Sequence, residues 1–148
     1  MKLKLQFEII TPERVVYKDE VNQVTLPTVE GEITVLPNHI PLIAILKPGE
    51  IVAKKDGEEI AMACSTGFIE ITPKKVVVLA DTAEKVEELV EEQILEARKR
   101  AEEILKTKKI DRETFETASA ALERELARLK VLRKRSRARL SPKPKVEE

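Results

Sequence analysis

With 148 residues and an apolar fraction of 42%, the chain can pack a core as one ordinary domain or as two small units, which argues against wholesale disorder. Its 27 basic and 27 acidic residues cancel, so bulk charge gives no push towards nucleic acid or membrane, and only local segregation of charge could do so. Aromatic residues are limited to Phe7, Tyr17, Phe68 and Phe115, which leaves an aliphatic core and little from which to build a stacking platform for bases or sugars.

The first half reads as strands. In Leu3-Lys4-Leu5-Gln6-Phe7-Glu8-Ile9 the odd positions are apolar and the even ones polar, the period of a half-buried strand. Thr11-Pro12-Glu13-Arg14 breaks that run. Short β-rich segments follow at residues 15–17, 24–26, 33–36, 42–46, 51–54, 59–64, 68–71 and 76–80. Turn chemistry separates them, notably Glu30-Gly31, Pro37-Asn38, Lys47-Pro48-Gly49, Asp56-Gly57, Ser65-Thr66-Gly67 and Thr72-Pro73. Asp56-Gly57 is a hairpin signal, because a type I′ turn needs positive φ at both central residues. Many short strands without an intervening helix predict an antiparallel β-sandwich or barrel over residues 1–82.

After Asp81 the pattern changes. The four glycines (31, 49, 57 and 67) all lie behind, and proline does not return until Pro142. Val86, Leu89, Val90, Ile94, Ala97, Ala101, Ile104 and Leu105 recur at helical spacing, predicting an amphipathic helix over 86–105. Lys106 to Ile110 interrupts it. Asp111 is a good N-cap for a second helix, with Phe115, Ala118, Leu122, Leu126, Leu129 and Leu132 on one face. The expected unit is an antiparallel helical hairpin over 83–140, followed by a loose tail at 141–148. Its apolar stripes are narrow and Ala-rich, so the pair should either lean on the sandwich or be able to leave it.

Catalytic constellations are mostly absent from the sequence. His39 is the one histidine and Cys64 the one cysteine, so no His pair or Cys–His cluster is available for zinc and no internal disulfide can form. Neither a GxGxxG stretch nor a GxxxxGK phosphate loop occurs. No catalytic residue, metal site or cofactor is therefore expected. Cys64 reads as a small buried hydrophobe. The frame Leu36-Pro37-Asn38-His39-Ile40-Pro41 predicts a stiff, extended loop in which the imidazole bonds a neighbouring backbone group. No apolar stretch is long enough to span a bilayer and no signal-peptide pattern follows Met1, so a cytoplasmic chain is the simplest expectation.

The helices segregate charge. The first opens with Glu84, Glu87, Glu88, Glu91 and Glu92. The second closes with Arg124, Arg128, Lys130, Arg133, Lys134, Arg135, Arg137 and Arg139 against the acid Glu125. Both arrangements complement the helix dipole, and an antiparallel hairpin brings the two ends together. Closed, the basic run can pair with the acids; opened, it is free for an acidic partner. A nucleic-acid adaptor using residues 124–139 is the alternative reading, ranked lower because aromatics do not interleave the basic run. A third is a scaffold that dimerises through the helices.

Residues 28–42, Thr-Val-Glu-Gly-Glu-Ile-Thr-Val-Leu-Pro-Asn-His-Ile-Pro-Leu, closely resemble the signature stretch of the ε subunits of bacterial F-type ATP synthases. Thr11-Pro12, Lys47-Pro48-Gly49, Gly67-Phe68, the segment from Val78 to Glu84, Ala97 to Glu102 and Ala121 to Arg124 add to the resemblance in the family's order, over residues 3 to about 132. The resemblance implies a non-catalytic central-stalk subunit whose sandwich clamps the γ subunit and rests on the c-ring. It would sit peripherally at the cytoplasmic face of the bacterial plasma membrane, one copy per complex, without nucleic acid and without entering the bilayer. Glu30, Gly31, Glu32 and His39 match loops facing the c-ring. The hairpin would inhibit ATP hydrolysis when extended, its second helix meeting an acidic loop of the catalytic β subunit. Arg124 and Arg128 match family positions there, and Arg133, Lys134 and Arg135 extend the charge. Some family members bind ATP through I/L-D-x-x-R-A at the start of the first helix. Here Val90, Gln93 and Ile94 replace the acid, the arginine and the alanine, so no ATP binding is expected.

Overall fold

The computed structural model describes residues 3–140, and the expected tail at 141–148 lies outside the described residues. Ten strands come first: β1 (Leu5–Ile10), β2 (Val15–Val21), β3 (Gln23–Thr28), β4 (Gly31–Val35), β5 (Leu42–Leu46), β6 (Gly49–Lys55), β7 (Glu58–Cys64), β8 (Gly67–Ile71), β9 (Lys75–Ala80) and β10 (Ala83–Lys85). Two helices follow, α1 (Glu91–Leu105) and α2 (Arg112–Leu140). This is the β-sandwich plus helical pair expected from the pattern.

The strands form one hydrogen-bonded sheet in the order β10-β7-β6-β3-β5-β8-β9-β1-β2, with β4 added to β3. The sheet folds over a single core contributed by one face of nearly every strand, including Phe7, Ile9, Val24, Leu26, Ile51, Met62, Ile69 and Val78. β2, at the end of that order, also packs against β6 and β10. The backbone amide of Asn22 donates to Lys54 O (2.7 Å) and the amide of Asp56 to Asn22 Oδ1 (2.8 Å), fastening the fold where the ladder ends.

Asp56 and Gly57 both have positive φ (51° and 84°), and β6 pairs with β7 from Gly49↔Cys64 to Lys55↔Glu58, the hairpin their sequence calls for. One pair departs from the antiparallel expectation, because β1 runs parallel to β9. The two are separated by seven other strands, so no tight turn dictates their relative direction. The loop after β4 is also not extended. His39 N donates to Leu36 O (3.3 Å) and Asn38 has φ 67°, so Pro37-Asn38 forms a tight turn with proline first and a left-handed residue second.

The first helix begins later than its periodicity suggests. Ala83–Lys85 instead pairs with β7, and Val86–Glu88 makes a single 3-10 turn. Ala83 and Val86, which belong to the apparent helical stripe or flank it, are buried against the sheet instead. Asp111 does cap α2, accepting from the Thr114 amide at 2.7 Å. The predicted single apolar face of α2 is only partly used: Ala118, Ala127, Leu129 and Val131 are buried, whereas Phe115 and Leu126 are exposed. The helix has two partners, α1 early and the sheet late, and they do not lie on one straight stripe.

Gly67 faces Ala80 across the β8–β9 ladder, where a Cβ would stand 2.8 Å from Ala80 Cα and 2.9 Å from Leu79 C. Backbone cannot yield as a side chain can. Gly67→Ala is accordingly expected to cost about 3 kcal/mol, read as a lowered midpoint in denaturant, while Gly31→Ala, with open space around it but φ 123°, costs less.

Candidate functional site

The site is built where α2 leaves α1 and lies on the sheet. On the outer face of β6 and β7 the register sets Glu50 opposite Ala63, Val52 opposite Ala61 and Lys54 opposite Glu59. Two alanines thus make a low apolar floor with a carboxylate at each end. Val131 (2% exposed) and Leu132 from α2 settle on this floor with Val86 and Leu89 from the turn after β10. Small residues on the sheet allow the helix to approach; larger ones at Ala61 or Ala63 would hold it off.

Around that small core the cations of α2 meet carboxylates from β6, β7, β10, α1 and α2 itself. Arg128 donates to Glu125 Oε1 (2.6 Å) and, through Nε and Nη2, to both oxygens of Glu84 in β10. Arg133 reaches Glu91 at the start of α1 (3.2 Å). Lys134 reaches Glu50 (2.9 Å), and Arg135 bridges Glu50 (3.1 Å) and Glu59 (2.9 Å). Arg124 lies 3.5 Å from Glu125. Glu125 is only 2% exposed, a carboxylate that a lone helix face would leave in water.

The electrostatics follow the contacts. Burial works against the charge on Arg128, but its hydrogen bonds to Glu84 and the nearby charges of Glu84 and Glu125 outweigh that, so its affinity for the proton rises. Arg135 follows the same pattern between Glu50 and Glu59. The hydrogen bond from Arg135 holds the Glu59 carboxyl below its ordinary range. Burial pushes the Cys64 thiol up to about 12, which makes it an inert packing group.

The expected pairing of basic run with first-helix acids is therefore only part of the arrangement. Glu91 alone represents α1 in these ion pairs, Glu84 belongs to a strand, and Glu88 is held instead by Arg14 at 2.6 Å. Glu50 and Glu59 escaped sequence reasoning because a polar residue on the outer face of a strand ordinarily faces solvent. Of the positions that depart from the nucleotide pattern, Val90 and Gln93 are exposed at the beginning of α1 and Ile94 is buried.

The loop residues divide. Val29 and Glu30 form the β3–β4 turn, closed by Thr28 Oγ1 donating to the O of Gly31, the first residue of β4 (2.5 Å), and Glu32 follows, exposed. His39 lies beyond the other end of β4, its Nδ1 donating to Ile40 O at 2.6 Å, which is the backbone bond expected of it. The two groups are separated by the length of β4, about 16 Å, and β4 pairs only with β3 among the described strands.

A second surface was missed from sequence. The registers Ile45↔Phe68, Phe68↔Leu79, Leu79↔Ile10 and Ile10↔Val15 line up one apolar row across β5, β8, β9, β1 and β2. Ile45, Phe68, Leu79 and Val15 are each more than half exposed, and Ile43 beside them is 77% exposed. Such a contiguous patch marks a partner surface. The readable signal was Leu42-Ile43-Ala44-Ile45-Leu46, apolar at both parities, because a strand can send only alternate residues inward.

Comparison with known proteins places these features among relatives. Residues 4–86 match the family described as ATP synthase, Delta/Epsilon chain, beta-sandwich domain. An ATP synthase epsilon chain from Dehalococcoides mccartyi is 43% identical over 132 residues, 89% of this chain and 94% of that one. Those of Herpetosiphon aurantiacus (41% identical; 90% and 97% covered) and Geotalea uraniireducens (40%; 93% and 99%) are similar over comparable lengths. In fold, the chain resembles a chain of the Euglena gracilis mitochondrial ATP synthase OSCP/F1/c-ring structure with TM-score 0.72 at 20% identity, covering 93% of this chain and 82% of that one. A chain of the Tetrahymena thermophila mitochondrial ATP synthase central stalk and c-ring gives TM-score 0.54 at 15% identity, with 91% and 98% covered.

Arg128→Ala would take from Glu84 its cation and leave Glu125 only the longer contact with Arg124, costing about 3 kcal/mol of hairpin docking, seen as faster amide exchange in α1 and α2 with the amides of β1–β9 unchanged. The Glu59 pairing titrates in a defined direction. Its depressed carboxyl contributes fully at neutral pH and is lost as pH falls below the ordinary glutamate range towards the folded-state value. Protection of the amides at the end of α2, taken relative to their intrinsic exchange at each pH, should accordingly fall on acidification, and less so in Glu59→Gln.

Proposed function

The chain belongs to the ATP synthase epsilon-chain family, and from that premise we propose that it is a central-stalk subunit of a bacterial F-type ATP synthase, coupling c-ring rotation to the catalytic head. It does so without catalysing a reaction itself. The observation that carries this reading is the exposed apolar row from Ile45 to Val15: a rigid five-strand platform suited to holding a rotating stalk partner, the γ subunit. The loops at the two ends of β4, with Glu30, Gly31 and Glu32 at one and His39 at the other, are the surfaces assigned to the c-ring. None of the described helices is long and apolar enough to cross a membrane, in keeping with a peripheral position at the cytoplasmic face.

The α1–α2 hairpin is assigned the inhibition of ATP hydrolysis. Its hold on the sandwich combines one small apolar cluster with ion pairs, an attachment that an acidic partner surface can replace. Released, Arg124, Arg128, Arg133, Lys134 and Arg135 would present to the catalytic β subunit. In the closed form these cations are already matched by carboxylates, which also weighs against a free phosphate-binding stripe for nucleic acid. ATP binding is expected to be weak or absent, since Val90, Gln93 and Ile94 supply neither charge of the nucleotide pattern and Arg128 is engaged by Glu84 and Glu125.

Hydrolysis by an α3β3γ assembly tests the assignment. Full-length chain should suppress it several-fold, whereas a chain ending at Leu89, which keeps β10 and the Val86–Glu88 turn, should bind without suppressing. Failure of both to bind would overturn the stalk reading. Phe68→Glu, placed in the centre of the apolar row, should weaken binding by roughly thirtyfold. Titration calorimetry with ATP should give no tight binding to the isolated chain; a tight, stoichiometric isotherm would refute that part.

A further inference from the structure

We infer that two acids, Glu70 and Asp81, bracket the exposed apolar row, so that its partner must bring a cation to each side of its own apolar strip. The inference rests on the stalk reading of that row and deepens it: γ is held there by a matched pair of basic side chains as well as by apolar contact. Register sets the positions. Glu70, opposite Val77, lies two residues along β8 from Phe68. Asp81 lies two residues beyond Leu79 in the opposite direction, its amide donating to Thr66 O at 3.0 Å so that the β8–β9 ladder continues to it. Both side chains therefore share the outer face with Phe68 and Leu79, and both residues are exposed. The run of β8 from 66 to 70 and one strand spacing separate them, about 14 Å.

The contrast with Glu8 carries the argument. Glu8 stands in the same outer row as Glu70, through Glu70↔Val77 and Glu8↔Val77, and the chain neutralises it itself. Lys75 lies at 3.0 Å and Lys18 at 3.4 Å, and the Glu8 side chain is 14% exposed. Glu70 has no cation within ion-pair distance among the described residues. Asp81 accepts from the Thr66 hydroxyl (3.2 Å) but likewise meets no cation there. A lone carboxylate is well solvated in water, but a partner that covers Phe68 and Leu79 strips water from the acids on either side. Uncompensated, that desolvation opposes binding; answered by cations, it fixes the partner's register. At the Asp81 end the row also dips into a groove of about 520 Å³, walled by Ile10, Pro12, Ile45, Phe68, Leu79 and Asp81. Apolar walls ending on a carboxylate suit the stem and head of a lysine or arginine. A second copy of this chain does not meet the requirement, because it would bring the same two acids, and its Lys18 and Lys75 are already held by Glu8.

The test measures binding of full-length chain to the α3β3γ assembly at low and high ionic strength. Glu70→Gln and Asp81→Asn preserve side-chain size and, at Asp81, an acceptor for Thr66, so the denaturation midpoint should not move. Each should weaken binding roughly tenfold at low salt and flatten its dependence on salt. Glu70→Lys should weaken it further. Glu20→Gln is the control: Glu20 is exposed on the same sheet, opposite Gln6 and two rows beyond the apolar one, and this variant should bind as the unmodified chain does. An affinity unchanged or raised in either neutral variant, or an equal loss in the control, would overturn the bracket, while Phe68→Glu still reports on the apolar row by itself. Dimers of the unmodified chain that Phe68→Glu abolishes would give the row to a second copy and overturn the choice of partner. If the unmodified chain does not bind the assembly, it is the stalk reading that fails, and the bracket falls with it.

Discussion

The two helices are of unequal length, and much of the molecule's behaviour follows from that mismatch. α1 has 15 residues and α2 has 29, so α2 runs past its partner by roughly half its length. A helix that overhangs its neighbour must find a second surface or stand alone in water, where a stretch with such a sparse apolar stripe is not stable. The sheet supplies that surface through β6 and β7. The small cluster of Ala61, Ala63, Val86 and Val131, and the carboxylates around it, exist because the overhang has to be received somewhere.

The two halves of the chain are consequently held by different means. Inside the sheet, side chains such as Phe7, Leu26, Ile51 and Ile69 are wholly buried and their neighbours interlock across strands that are distant in sequence. Between helix and sheet, few apolar groups are buried and the remainder of the attachment is charge on charge. Hydrophobic burial scales with area and is indifferent to salt of ordinary strength, whereas partly exposed ion pairs are screened. One half is thus insensitive to the ionic surroundings and the other is tuned by them.

How far this was legible in the sequence depends on what each residue answers to. Leu5–Ile10 announced itself by alternation and Leu42–Leu46 by the turn residues that bound it, both local properties, and Asp56-Gly57 and Asp111 are chemically explicit about the turn and the cap they make. The parallel β1–β9 pair was not legible, because a long-range neighbour leaves no local mark. The stretch from Ala83 to Val86 misled for an instructive reason: apolar spacing over a few residues suits a helix and a short strand with a turn equally well, and the sheet edge decided. Arg124, Arg128, Arg133, Lys134 and Arg135 were visible as a cationic run, but their partners Glu50 and Glu59 were not, since nothing about an outward-facing glutamate on a strand says that a helix will cover it.

The extended pair Leu89–Val90 stands between the last turn anchored on the sheet and the first residue of α1. That position fixes a radius. At 1.5 Å per residue, α1 measures about 22 Å and α2 about 43 Å. A chain that opened only at the connection between the helices would carry its basic end on a radius of about 43 Å. One that also opens at Leu89–Val90 adds the length of α1 and reaches about 65 Å or more. Two joints in series would allow two ranges rather than one, and the joint that yielded would set how far away a surface could be and still be touched.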